Sequence, residues 1–264
     1  MFSMKLYIYF MFLSLFLTMF SCKNESQPGK SIENLVSGKS DVRQIDFISY
    51  NDDTQAEKWF EYNEQGDIIR EAVDIDTMVY QYEGRKIVKR HIDKSLSWHS
   101  ATEYLTDLNG RIISADIFDE KDKKVSTIKY SYNTEGYLMK SEQLIIQSNS
   151  NLVNEFEYKD GNIDQVKIFD TEGKLTATYI YDYYPDKVNI LNLFIENIAD
   201  DILPNERMGI RNKNLVKQLS NKTTEGDTLS LVKYNYGELL NGTLTCVQID
   251  DINEFETKII YHLK

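Results

Sequence analysis

The chain has 264 residues but only two cysteines, three histidines and two tryptophans, and its bases are outnumbered by its acids. Each shortage removes a class of function. Cys22 and Cys246 alone cannot form a multi-bridge disulfide framework. Cys246 lies in the strand-like run 243–249 and is expected to be a buried apolar filler. His91, His99 and His262 are scattered, with no His-x-x-x-His pair and no Cys/His cluster, so the ligand spacing of a zinc site is missing. No Gly-x-Ser-x-Gly elbow offers a serine nucleophile, and no Gly-rich loop offers a phosphate cradle. The acidic groups Asp52-Asp53, Asp119-Glu120 with Asp122, Asp200-Asp201 and Asp250-Asp251 match no EF-hand loop and read as solvated turns. No catalytic residue, metal ligand or cofactor is therefore assigned. With 30 Lys and Arg against 42 Asp and Glu, the chain is also a poor ligand for nucleic acid, whose binding depends on neutralising phosphates.

What is present begins with an address. Lys5 precedes an apolar run from Leu6 to Phe20, broken only by Ser14 and Thr18. That run is short of the ~20 residues a spanning helix needs and suits the core of a signal peptide. It ends in Ser21-Cys22-Lys23, which resembles the lipobox of bacterial lipoproteins. The resemblance implies that residues 1–21 are removed and that Cys22 is acylated as the new N-terminus, giving membrane attachment through lipid. Removing residues 1–21 takes away Lys5 and no acid. That leaves 29 bases against 42 acids, a net charge of −13. Residues 22–40, with Pro, Gly and Ser among polar neighbours, read as a flexible tether. Residues 41–264 are long enough for one β domain with its own core.

That domain is a repeat. In Lys129–Leu138, Tyr130 and Tyr132 stand two apart, so they share one face of a strand. Asn133 can cap a turn through its own backbone, and Gly136 can take the positive φ that closes it. Ring pairs recur at Phe60 and Tyr62, Tyr80 and Tyr82, Phe156 and Tyr158, Tyr179 and Tyr181, and Tyr234 and Tyr236. The turn glycines Gly84, Gly110, Gly136 and Gly161 are 26, 26 and 25 residues apart, a period of two strands and two turns. Between the paired rings stand Glu61, Gln81, Ser131, Glu157, Ile180 and Asn235, of which only Ile180 is apolar. One face is thus aromatic and the other polar. The fold class is all-β: a curled antiparallel meander of repeated hairpins, an open or partly closed barrel-like sheet. A single helix is expected near 189–203, where Leu191, Phe194, Ile195, Ile198 and Ile202 have helical spacing ahead of Pro204. It would cover the outer face near Ile180 or plug an end of the sheet.

The motif Tyr-x-Tyr-Asn/Asp-x-x-Gly-x-Leu is similar to the Tyr-Asp (Rhs-type) repeats of bacterial surface proteins. The whole of 41–264 resembles a family of Bacteroidota lipoproteins described as having a porin-like β fold. Tyr181–Asn189 and Asn212–Lys217 carry that likeness together with the ring pairs. The sequence departs from the Tyr-Asp pattern at Asn63, Asn133 and Lys159; asparagine keeps the turn chemistry and lysine does not. The resemblance implies a fold and a place, an outer-membrane lipoprotein on the periplasmic or surface side, and no reaction.

The expected function is a lipid-anchored, non-enzymatic binding or scaffold module of the cell envelope, with a glycan or envelope protein as partner. One alternative is a glycan-binding accessory lipoprotein using exposed aromatics, for which Trp98 and His99 beside a hairpin turn are the candidate contacts. The ring ladder itself reads as core, because every repeat carries the pair whereas a sugar platform needs only two or three rings. The other alternative is a hydrolase or small-ligand carrier with its site inside the curled sheet. It requires polar residues pointing inward among the rings, and few are expected.

Overall fold

The computed structural model describes residues 42–49, 54–73, 76–92, 99–191 and 207–263. The leader, the tether and Cys22 lie outside them, as do Trp98 and residues 192–203 of the expected helix. Among the described residues the chain forms β1 (Val42–Ser49), β2 (Gln55–Tyr62), β3 (Ile68–Val73), β4 (Asp76–Glu83), β5 (Lys86–His91), β6 (His99–Thr106), β7 (Ile112–Asp119) and β8 (Lys124–Tyr132). It continues with β9 (Leu138–Ile145), β10 (Ser150–Lys159), β11 (Asn162–Phe169), β12 (Leu175–Val188), β13 (Asn214–Lys222), β14 (Thr228–Tyr236), β15 (Thr243–Asp250) and β16 (Phe255–Leu263). Each strand pairs antiparallel with the next, and β16 returns to β1 with Tyr261 opposite Ile45 and Ile259 opposite Phe47. The meander is all-β and closes fully into a 16-strand barrel. Asn189–Leu191, the described start of the expected helix, leaves β12 without helical structure.

The turns explain the regularity. Asn133 donates its amide to the Tyr137 carbonyl at 3.0 Å, and Gly136 donates back to the Asn133 carbonyl at 3.1 Å. The Asn133 side-chain oxygen collects the amides of Glu135, Gly136 and Tyr137 at 3.1, 2.9 and 2.9 Å, which is why a short polar cap is needed there. The same pair of backbone bonds closes 63–67, 107–111, 170–174 and 223–227, with Asn, Asp or Thr as the first residue. Several ring-bearing hairpins carry a bulge, between Glu61 and Tyr62, Ser131 and Tyr132, and Glu157 and Tyr158, whereas β4 pairs with β5 and β14 with β15 in unbroken register. A bulge adds one residue and resets the inside–outside alternation.

All twelve ladder rings face inward. Tyr80, Tyr130, Phe156, Tyr179, Tyr181 and Tyr234 are buried, and Phe60, Tyr62, Tyr82, Tyr132, Tyr158 and Tyr236 pack half-buried against the same cluster. By strand number alone a barrel of this size can hold an aqueous channel. Here the inward side chains meet each other instead, with Ile112, Ile163, Val166 and Ile259 completely buried between the rings. Position two of every pair is tyrosine, and at Tyr62, Tyr82 and Tyr132 the hydroxyl is used. Tyr82 donates to the Ile68 carbonyl at 2.7 Å, Tyr132 to the Ile112 carbonyl at 2.6 Å, and Tyr62 to the Val42 carbonyl. Each of these bonds ties the end of one strand to the start of the strand before it. Tyr132→Phe is expected to lose about 1–2 kcal/mol in urea unfolding, because the Ile112 carbonyl loses this donor.

The outer face is charged. Between the rings, Gln81, Ser131, Glu157 and Asn235 are exposed; ion pairs cross neighbouring strands, Lys86 with Glu103 at 2.8 Å and Lys124 with Asp116 at 2.8 Å, and Lys140 pairs with Glu142 along β9 at 2.8 Å. Such exposed pairs add little stability. Their position matters more, since Glu103, Asp116, Glu142 and Lys167 sit mid-strand, where the wall of a spanning barrel meets hydrocarbon. A charge there costs up to about 2–4 kcal/mol. Ile180, the apolar exception, is 38% exposed, with no described element over it.

Candidate functional site

The inner face is not wholly apolar. Alternation from Phe60 and Tyr62 places Lys58 on the ring side of β2, and the bulge that follows Ile68 turns Glu71 of β3 inward as well. Glu71 is 5% exposed and Lys89 of β5 is 6% exposed, directly opposite Tyr80. Lys58 ion-pairs with Glu71 Oε1, Tyr80 donates its hydroxyl to Glu71 Oε2 at 2.5 Å, and the Lys58 ammonium lies 5.3 Å from the Phe60 ring centre. Burial by itself would raise the Glu71 carboxyl. The Lys58 and Lys89 charges, with hydrogen bonds from Lys58 and Tyr80, overcome it and hold the group down at about 2. A carboxylate so fixed is ionised throughout the neutral range. It suits an electrostatic role, not proton transfer near pH 7.

Around the barrel from this nest runs a belt of buried polar side chains. Thr102 stands opposite Lys89, Ser126 receives a bond from Gln143 Nε2 at 3.1 Å, and Asn154 Nδ2 donates to Ser141 Oγ at 3.0 Å. Farther round, Ser230 donates to Asp250 Oδ2 at 2.9 Å, and Thr257 stands opposite Ser49. Ser49 Oγ, Thr257 Oγ1, Asn154 Oδ1 and Asn221 Oδ1 find no hydrogen-bond partner among the described residues. Buried polar atoms in this state define places where water or a polar ligand group is favoured. The expectation of few inward polar residues is therefore corrected. Lys58, Thr102 and Asn154 stand at a two-residue step from Phe60, Tyr104 and Phe156, whereas the bulge on β3 takes Glu71 out of step with Ile68.

The opposite end, where the turns 63–67, 84–85, 107–111, 133–137 and 160–161 lie, is crossed by a strap, residues 207–213. Arg207 Nη2 donates to Asp67 Oδ1 at 2.7 Å, and its guanidinium lies 5.4 Å from the Tyr82 ring centre. Ile210 donates its amide to the Gly136 carbonyl at 3.0 Å and Lys213 to the Gly161 carbonyl at 3.1 Å. Asn212 Oδ1 accepts from the Ile163 amide at 2.8 Å, and Asn162 and Asn214 bond reciprocally at 3.1 and 2.8 Å. The strap thus copies the edge of a strand to several turns in succession. Under it Arg211 has its guanidinium buried beside Tyr132 and Tyr158, whose hydroxyls burial pushes well above their ordinary value.

The other sequence candidates fall as follows. His99 opens β6 opposite Asp119, while its neighbour Trp98 lies outside the described residues. His91 meets Asp76 at 3.0 Å and His262 meets Asp46 at 3.1 Å, on separate parts of the wall. Cys246 forms no disulfide among the described residues and is fully buried. Asp119 and Asp250 cap their own turns, accepting amides of Lys121 and Lys123 and of Ile252 and Asn253 respectively. Among the described residues no three His, Cys, Asp or Glu side chains gather as a metal site.

These features define a class: a closed antiparallel barrel with a packed, ring-lined interior and a charged outer wall. No protein-family model and no curated protein matches the chain. Solved structures do. A porin-like protein from Bacteroides uniformis is similar with 14% identity and a TM-score of 0.61, covering 86% of this chain and 98% of its own. A porin-like protein from Bacteroides vulgatus is similar with 12% identity and a TM-score of 0.61, covering 86% and 99%. At such identities the likeness is one of fold. The barrel is the porin-like β fold that the sequence resemblance implied.

Proposed function

We propose that this protein is a lipid-anchored lipoprotein of the outer membrane, whose Tyr-Asp-type hairpins form a water-facing, non-enzymatic barrel that binds or positions an envelope partner. The observation that carries the reading is the reversal of the barrel wall. The ladder rings and the core aliphatic side chains point in, and mid-strand carboxylates and ammonium groups point out. Such a wall is stable in water and costly in hydrocarbon, so membrane attachment falls to Cys22 and not to the strands. Intact mass of the protein extracted from membranes is expected to start at Cys22 with acyl chains attached. Cys22→Ser should move more than about tenfold of it from the membrane to the soluble fraction, as loss of a double-chain anchor requires. Retention of the serine variant in the membrane would refute the anchor.

A second reading, a carrier with its site inside the sheet, is favoured by one observation, the buried nest of Lys58, Glu71, Tyr80 and Lys89 with its polar belt. Native mass spectrometry of the folded protein separates the two. A small molecule retained through mild desolvation and released on unfolding supports the carrier; an empty barrel supports the scaffold. A glycan array on the same protein tests the accessory-lectin alternative.

A further inference from the structure

We propose that the strapped end of the barrel is a docking surface for the lipid bilayer, and that the protein sits end-on with this face against the membrane. The inference rests on the anchor reading above. β1 starts at Val42 beside Leu263 at the end of β16, and both lie at the end that carries the strap and the turns 63–67, 107–111, 133–137 and 237–242. The segment from Cys22 to the barrel therefore enters at this end. Positions 22 to 41 are 20 residues, and a flexible chain of that length spans about 25 Å on average. An anchored barrel is thus held with this face at the bilayer at high effective concentration.

The face carries what an interfacial contact needs. Leu108, at the tip of the β6–β7 turn, is 91% exposed; Leu240, at the tip of the β14–β15 turn, is 63% exposed; and Ile210, on the strap, is 40% exposed. None of the three side chains makes the bonds of its turn, which come from Asp107, Asn109 and Gly110, from the Leu240 and Thr243 backbones and from the Ile210 amide. Of the strap's cations Lys213 is exposed, while Arg207 pairs with Asp67 and the Arg211 guanidinium is buried. Apolar tips near an exposed cation are a composition that favours the headgroup boundary. The far end also exposes Ile92, Ile146 and Ile252, but the anchor segment does not join the barrel there. The contact is weak alone and acts only on a tethered protein.

The test uses the acylated protein extracted from its membrane and reconstituted in phosphatidylcholine vesicles. An environment-sensitive thiol dye is attached at Leu108→Cys or, as the far-end comparison, at Ile252→Cys. The buried Cys246 and an acylated Cys22 leave the new thiol as the reactive one. The dye at 108 is expected to shift to the blue and to lose about half its emission to brominated lipid, as a group at the acyl boundary does, with the dye at 252 unchanged. An acylated chain whose dye at 108 stays in water, or whose two dyes are quenched alike, overturns the docking while leaving the anchor intact. A mass showing no acyl chain on Cys22 overturns both.

Discussion

Glu71→Gln is expected to lower the unfolding free energy of the barrel by about 3 kcal/mol, the lower part of the range for removing one partner of a buried ion pair. The side chain keeps its size, so the loss is electrostatic. Lys58 and Lys89 remain inside the wall while the carboxylate that faces them is gone. For a barrel of this length the melting temperature should fall by roughly 6–12 °C. The pH dependence identifies the cause. The Glu71 carboxyl is held at about 2 against an ordinary value of 4.5. A folded value below the unfolded one means stability that is fully present above pH 4.5 and lost as pH falls toward 2. The difference is worth about 3 kcal/mol, so the natural protein should lose that much over this window in urea titrations. The glutamine variant should lose less by the same amount. Equal acid sensitivity in the two proteins would show that Glu71 is not the group responsible.

Gly209→Val should be as damaging, for a steric reason. Gly209 has φ +88°, and a Cβ there would collide with the Gly136 carbonyl oxygen and come within 2.9 Å of the Tyr132 ring. Backbone strain and overlap together are expected to cost about 3 kcal/mol. The strap is the part that must move. Hydrogen exchange should accelerate at the amides of Ile210 and Lys213, which bond the Gly136 and Gly161 carbonyls. Gly84→Ala supplies the contrast, since Gly84 has φ +60° with nothing within 4 Å of the added carbon. It should cost only about 1 kcal/mol. Similar losses at both positions would mean that the close approach under the strap is not maintained in solution.

Much of the barrel was legible in the sequence, because its repeat expresses two local rules. Rings two apart mark an inner face, and an Asn or Asp three residues before Gly marks the turn, so Tyr130, Tyr132, Asn133 and Gly136 reveal a hairpin without any long-range information. Closure was not legible. It depends on how the twist of sixteen strands adds up, and nothing local in Val42–Ser49 or Phe255–Leu263 announces that they pair. The interior charges were half legible. Lys58 keeps step with Phe60 and Tyr62, whereas Glu71 faces inward only because a bulge displaces it from the step of Ile68. The strap was invisible for a different reason: residues 207–213 have no periodicity, and their hydrogen bonds go to turn carbonyls 50 to 100 positions away in the chain.

The central claim is that the barrel wall is reversed, packed within and wetted without. Ion conductance across a planar bilayer holding the acylated protein tests it most directly. The account predicts current indistinguishable from the bare membrane at any protein loading. Discrete conductance steps that scale with protein would mean that strands cross the bilayer around an open lumen, and would contradict it.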